Sequence, residues 1–340
     1  MEASLEQTKR RPWRRWVVLA LMFVGFVVGG IVVPVQPYIS VKAENLLGEG
    51  APWLHLPFVG EVPLVNTLPT LLVTVLLNVV LAFFTNRSMR MSARTDLVPR
   101  GIGNLMEAFF ELIYNLTEGS AGAKWAPVIF PWFATIMFYV LFANLLKLIP
   151  GFESIGVLHQ AHGEGNAIQA LGGNWANLVP GRGEYILAPF FRGISVDLNF
   201  TVALAIVSVI MIQVVGFRAQ GLGYLSKFFN FRTMFKVPFF GAMDFLVGLL
   251  ELISELSKIL SFAFRLFGNM FAGIVLVAIV AGLLGKISIL PSMIMMFELF
   301  VGLIQAFVFG MLTMVFMAQA TQGHGHEEQG AEAHAEAHEI

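Results

Sequence analysis

The sequence predicts an all-α polytopic membrane protein with about six membrane helices, two of them long, tilted C-terminal helices, plus one interfacial amphipathic helix. Three observations predict it. Charged residues are 13% of the 340 and hydrophobic ones 57%, with a mean hydropathy of +0.76; a soluble domain carries about 25% charged residues. Apolar runs long enough to cross a bilayer recur along the chain. Lys and Arg gather in alternate connections between those runs, as they do where loops stay inside. The length suits one integral domain rather than two soluble ones. A net charge of −1 gives no bulk attraction for nucleic acid, and the absence of cysteine excludes disulfides and thiolate metal sites. The 32 Phe and 16 Met suit lipid-facing and helix-packing surfaces.

Residues 9–15, KRRPWRR, precede an apolar run over 16–33. A basic flank and a core of that size fit a signal peptide or an anchoring helix. The run is slightly longer than a signal core and no A-x-A pattern stands near Ser40, which favours a retained helix with its N-terminus inside. Residues 34–63 hold Pro34, Pro37, Pro52, Pro57 and Pro63 and read as an external loop, so 1–63 is an anchor or signal followed by that loop. A second span over 64–84 ends at Arg87, Arg90, Arg94 and Arg100, a cytoplasmic cluster. Ile102, Leu105, Met106, Phe109, Ile113 and Leu116 then share one helical face, with Asn104, Glu107, Glu111, Asn115 and Glu118 opposite. That segment is too polar to span and is expected along the interface or against a partner helix. A third span over 126–149 ends in ANLLKLIPG, with Lys147 the one cation in it.

Residues 151–193 read as a glycine-rich external loop inserted into an integral domain of 64–320. His159 and His162 stand three apart and could share a metal, but no third ligand follows at a metal-site spacing, so a solvated loop is the better reading. A fourth span over 195–215 begins beside Asp197 and Asn199, two polar residues at its outer end that can cap the helix start. Arg218, Lys227, Arg232 and Lys236 form another inside loop. The helical region 243–285 far exceeds the ~20 residues an upright helix needs, so it tilts or breaks. The last helix, 290–320, sets Glu298, Gly302 and Gln305 on one face, and 321–340 is a His/Glu-rich tail of disordered composition, with only adventitious metal binding open to its histidines.

Within 243–285, Glu251, Ser254, Glu255, Lys258, Ser261, Arg265 and Asn269 follow one another at helical spacings. At about 100° per residue they fall within roughly 120° of arc, a single polar stripe on an apolar helix. Arg265 keeps its charge in any protein setting, and a charge at membrane depth costs a few kcal/mol or more, so it faces a partner or a water-filled cavity. The stripe is either an ion path or a buried polar seam in which Glu255 pairs with Lys258 one turn later. No phosphate-cradling Gly-rich motif, H-E-x-x-H or nucleophile elbow occurs, so neither a catalytic residue nor a cofactor is expected. The chemistry to explain is charge in a membrane.

The run Arg265-Leu266-Phe267-Gly268-Asn269-Met270, followed by Ala272-Gly273 and preceded by Ser257-Lys258 and Ser261, resembles subunit a of F-type ATP synthases. The resemblance covers about Val62 to about Ala320, leaving out the first sixty residues, 151–193 and the tail. It implies the stationary half of a rotary ion path in a bacterial plasma membrane, non-catalytic by itself. The two long C-terminal helices would face a rotor ring of proteolipid c subunits, with peripheral-stalk b subunits and the soluble F1 sector as further partners and no nucleic acid. Two half-channels would deliver and remove the proton. Arg265 would attract the deprotonated ring carboxylate and repel a proton leaking between the half-channels. Glu298 would relay protons, and Gln305 would hold the Arg265 guanidinium by hydrogen bonds. Asn269 and Glu251 would line one half-channel beside Ser254, Lys258 and Ser261, and Asp197 and Asn199 would belong to an outer opening. Two departures stand out. An acidic residue is common where Lys147 stands here. Some members carry a histidine at the position of Glu298 and an acid at that of Ile274, so the carboxylate has changed helices. The other role open to Glu298 is a structural pair with Lys258 or Arg265.

A proton-coupled secondary transporter would also hold Arg and Glu at mid-membrane. Such transporters are commonly built from internal repeats, and neither the Arg265 nor the Glu298 segment has a second copy. A purely structural scaffold leaves the cost of the polar stripe unexplained.

Overall fold

The computed structural model describes residues 16, 43–48, 52–57, 60–92, 102–149, 152–172, 175–228, 238–284 and 290–322. The 17–33 part of the expected anchor, Arg94, Arg100, Arg232, Lys236 and the 323–340 tail lie outside the described residues.

Five helices dominate: α1 Thr67–Ser92, α2 Ile102–Leu146, α3 Leu198–Gln220, α4 Pro238–Leu284 and α5 Leu290–Thr321. Each contains a stretch long and apolar enough to cross a membrane, as expected of a polytopic helical fold. The interfacial segment and the third expected span join in α2, a 45-residue helix interrupted at Gly122, where φ is 75° and ψ 162°. Only glycine takes that conformation at little cost. The break therefore falls where the amphipathic face ends and the apolar run begins.

Two short sheets complete the described fold. β1 (Pro52–Leu56) and β2 (Gly60–Pro63) pair antiparallel, Leu54 opposite Val62 and Leu56 opposite Gly60. β3 (Gly156–Gly172) and β4 (Trp175–Pro189) form a second two-stranded sheet in the segment expected to be a solvated loop. The glycines behind that expectation are points of close backbone approach. A Cβ on Gly165 would stand 2.7 Å from Tyr185 N, and one on Gly183 would collide with the Asn166 carbonyl.

The described residues belong to two compact units. One holds Leu158–Leu187 and Ile274–Met296; the other holds Ser40–Val157, Ala188–Gly273 and the chain from Phe297. Every residue with an expected role in ion movement lies in the second unit. There, α1 packs against α2, and a 3-10 turn at Ile194–Val196 packs against α1, α2 and α3.

α2 and α5 run antiparallel in close contact, because α5 presents small residues at Gly302, Ala306 and Gly310. A Cβ on Gly310 would lie 3.0 Å from both Met137 Cβ and the Phe133 ring, and one on Gly302 would lie 3.2 Å from Asn144 Cβ. Small residues at this spacing let membrane helices approach where no hydrophobic force joins them. Asn144 Nδ2 adds a buried hydrogen bond to the Gly302 carbonyl at 3.1 Å. α5 meets α4 on another side, where the Phe262 ring lies 5.1 Å from Phe309 and 5.8 Å from Phe316.

Candidate functional site

Packing divides the polar stripe of α4. Glu255 is buried, Glu251 and Lys258 are half-buried, and Ser254, Ser261, Arg265 and Asn269 are exposed. At the inner edge, Glu255 Oε1 accepts from Lys258 Nζ at 2.8 Å and Oε2 accepts from Gln213 Nε2 of α3 at 2.9 Å. Gln213 Oε1 in turn accepts from the Tyr224 hydroxyl at 2.8 Å. Lys258 Nζ also sits 4.7 Å from the centre of the Phe316 ring. Both carboxylate oxygens and the ammonium are thus engaged, as a charge taken out of water requires. The seam of Glu255 with Lys258 exists, but it accounts for only half of the stripe.

Arg265 belongs to the outer half. It is exposed on a face whose neighbours Leu256, Leu260 and Phe264 are exposed too, and among the described residues its guanidinium makes no hydrogen bond or ion pair. The expected bond from Arg265 to Gln305 is replaced by another. Gln305 is buried between α4 and α5, and its Oε1 accepts from Asn269 Nδ2 at 2.8 Å. Its Nε2 has no partner among the described residues. The cause is angular, for Asn269 is one turn beyond Arg265 and reaches back into the helix seam, while Arg265 faces away.

Glu298 lies where α5 meets both α2 and α4. Its Oε2 is 3.3 Å from Lys147 Nζ, and the two side chains are 10% and 3% exposed. The contact is ionic rather than an aligned hydrogen bond, since Lys147 Nζ and Glu298 Oε1 lack hydrogen-bond partners among the described residues. Oε1 rests so close to α4 that a Cβ on Gly273 would collide with it. The cation beside Glu298 is neither of the two that the alternative, pairing role offered. Lys258 is held by Glu255, Arg265 points away, and Lys147, in the turn just past the end of α2, stands beside Glu298.

At the start of α3, Asp197 is buried and caps the helix, its Oδ1 accepting from Asn199 N at 3.0 Å. Its Oδ2 accepts from Thr67 Oγ1 of α1 at 3.1 Å, and Thr70 Oγ1 nearby accepts from Arg192 N at 3.1 Å. Asn199 itself is exposed. The capping role of Asp197 is thus realised, with a buried stripe of Thr67, Thr70 and Thr74 on α1 beside it and Asn66 buried just before that helix. Sequence reasoning passed over that stripe, and also Gln213, Tyr224 and the pairing of Lys147. The available signal was the same for most of them: a single amide or cation inside an otherwise apolar run.

The family model described as ATP synthase A chain matches residues 68–318. The chain belongs to the ATP synthase A chain family. ATP synthase subunit a of Campylobacter jejuni (strain RM1221) is 30% identical over 256 residues, covering 73% of this chain and 88% of that protein. The Moorella thermoacetica protein of the same description is 27% identical over 269 residues, 78% of this chain and 94% of its own length. That of Desulfotalea psychrophila is 31% identical over 234 residues, 68% and 76% of the two chains. As a member of the A chain family, the protein is a multi-pass component of the ATP synthase membrane sector and acts in complex with other subunits. The matched range contains all ten residues with expected roles in ion movement, and Lys147 with them.

Proposed function

We propose that the chain is the stationary, non-catalytic ion-translocating subunit of the ATP synthase membrane sector, coupling proton flow to ring rotation. The observation that carries this reading is Arg265, a permanent cation on an exposed apolar face of α4 with no partner among the described residues. A charge so placed needs an anion from outside the chain. A ring of c subunits, each with a carboxylate at membrane depth, supplies one at every step of rotation. Arg265 then draws the deprotonated carboxylate to it and bars protons from passing directly between two half-channels.

Around it, the exposed Ser254, Ser261 and Asn269 line the path along α4 together with Glu251 and Lys258. Glu298 relays the proton: it is the buried carboxyl group of α5, and its Oε1 lies against α4, the helix that carries Arg265. Asp197 and Asn199 stand at the opening on the outer side, over the Thr67–Thr70 end of α1. Peripheral-stalk b subunits hold the chain fixed while the ring turns and F1 responds, in the plasma membrane of a bacterium.

The test is proton-driven ATP synthesis by the complex reconstituted in vesicles. Arg265→Ala is expected to abolish synthesis with assembly largely kept, and Arg265→Lys to fail as well, since an ammonium lacks the planar fork and can lose its proton. Wild-type synthesis in Arg265→Ala would sink the reading.

A further inference from the structure

The geometry points to Lys147 as the positioning residue for Glu298: it pins one carboxylate oxygen and leaves the other facing α4 to exchange the proton. This rests on the relay reading of Glu298 above and adds to it a residue from the turn that follows α2.

The argument begins with how tightly Lys147 is held. Its ammonium is 3.3 Å from Glu298 Oε2, in side-chain surroundings 3% exposed. The stem passes Gly193 so closely that a Cβ there would stand 3.1 Å from Lys147 Cβ. One turn earlier on α2, Asn144 is bonded to the Gly302 carbonyl, one turn beyond Glu298 on α5. The helices are thus clamped in register on one side of the ion pair, and the ammonium has little room to swing. Glu153 is the other charged group beside the stem, but its Oε1 accepts from Gly193 N at 3.0 Å rather than from Lys147. Among the described residues Lys147 is the only charged partner of Glu298.

The two oxygens of Glu298 are therefore unlike. Oε2 is committed to the ammonium. Oε1 is buried without a hydrogen-bond partner among the described residues and lies against α4 at Gly273, on the helix that carries Arg265. A polar atom so placed is costly to keep unless something reaches it. A pair built only to join α2 to α5 would engage both oxygens, as Glu255 does, one with the Lys258 ammonium and the other with the Gln213 amide. Holding one oxygen and presenting the other fixes the direction from which the proton arrives and departs. Lys147 acts through Glu298 and need not itself carry the proton.

The experiment measures passive proton conduction through the membrane sector, normalised to the amount of assembled complex. Lys147→Met is expected to lower normalised flux by up to about a hundredfold, on the scale of misplacing a reacting group by about 1 Å, and Lys147→Arg to restore most of it. Adding Lys147→Met to Glu298→Gln should lower flux no further, because residues acting as a unit are not additive. Wild-type normalised flux in Lys147→Met, with only assembly reduced, overturns the inference while leaving the relay standing. So does an equal proportional loss in both backgrounds. Wild-type flux in Glu298→Gln sinks the relay, and this inference with it. Lys147→His covers a methionine variant that fails to assemble. Its flux relative to wild type should rise as pH falls and the imidazole gains charge; a flat ratio overturns the assignment.

Discussion

Asn269 Nδ2 donates to Gln305 Oε1 at 2.8 Å and ties α4 to α5 one turn beyond Arg265. Gln305 is buried and its Nε2 has no partner among the described residues, so this bond is the amide's one observed attachment. Asn269→Ala should cost about 1–3 kcal/mol, the penalty of leaving a buried polar group unsatisfied. Asn269→Ala combined with Gln305→Leu should be milder than Asn269→Ala alone, since the stranded amide is gone. Thermal midpoints of the solubilised complex decide it, and a double variant less stable than the single one would refute the account.

The α2–α5 contact depends on small residues, and it makes a contrasting prediction for two glycines. Gly310→Val would drive its side chain into Met137 and Phe133, already 3.0 Å from a bare Cβ, at about 1–3 kcal/mol for overpacking. Gly268, three residues past Arg265, has nothing within 4 Å of a Cβ. Gly268→Val should leave the subunit as stable as wild type but impair its docking to the ring. The measurement is yield of the isolated subunit against yield of the subunit–ring complex. Equal loss of both for Gly268→Val would remove that face from the ring contact.

Topology follows from the basic residues. Cysteines placed at Ser92 and Gln322 are expected to react only from the cytoplasmic side, and one at Gly165 only from outside, by the bias of Lys and Arg toward inside loops. Impermeant labelling of intact cells and of inverted vesicles reads this directly. Gly165 and Gln322 reacting from the same side would overturn the order of spans.

Features that depend on composition or helical spacing were legible before any coordinates. The apolar runs after the first lie within α1 to α5, although α2 also takes in the segment expected along the interface and α1 runs on to Ser92, and the spacing of Glu255 and Lys258 foretold their contact. Features that depend on which helices meet were not. Lys147 and Glu298 are distant in sequence, and no periodicity links them; the unusual residue at each position was visible, but the fact that they touch was not. Gln305 was assigned to Arg265 although packing gives it to Asn269, because spacing says which residues share a face and not how far that face is turned. The β3–β4 sheet was missed for another reason. Its glycines signal turns in isolation and become close contacts only once the second strand is present.

The length of α4 carries a mechanical consequence. Its stretch from Leu246 to Gly273 has 28 residues, about 42 Å at 1.5 Å per residue, against a hydrocarbon layer of about 30 Å. A stretch of that length held wholly inside the layer would lean by about 45° from the membrane normal. An upright ring helix passing it would cross at that angle and touch it over about 14 Å, roughly two to three turns. The rotor would then be gripped at a crossing point rather than along a seam, with one carboxylate in reach of Arg265 at a time. Friction would be confined to that point, and each step would end when the next helix arrives.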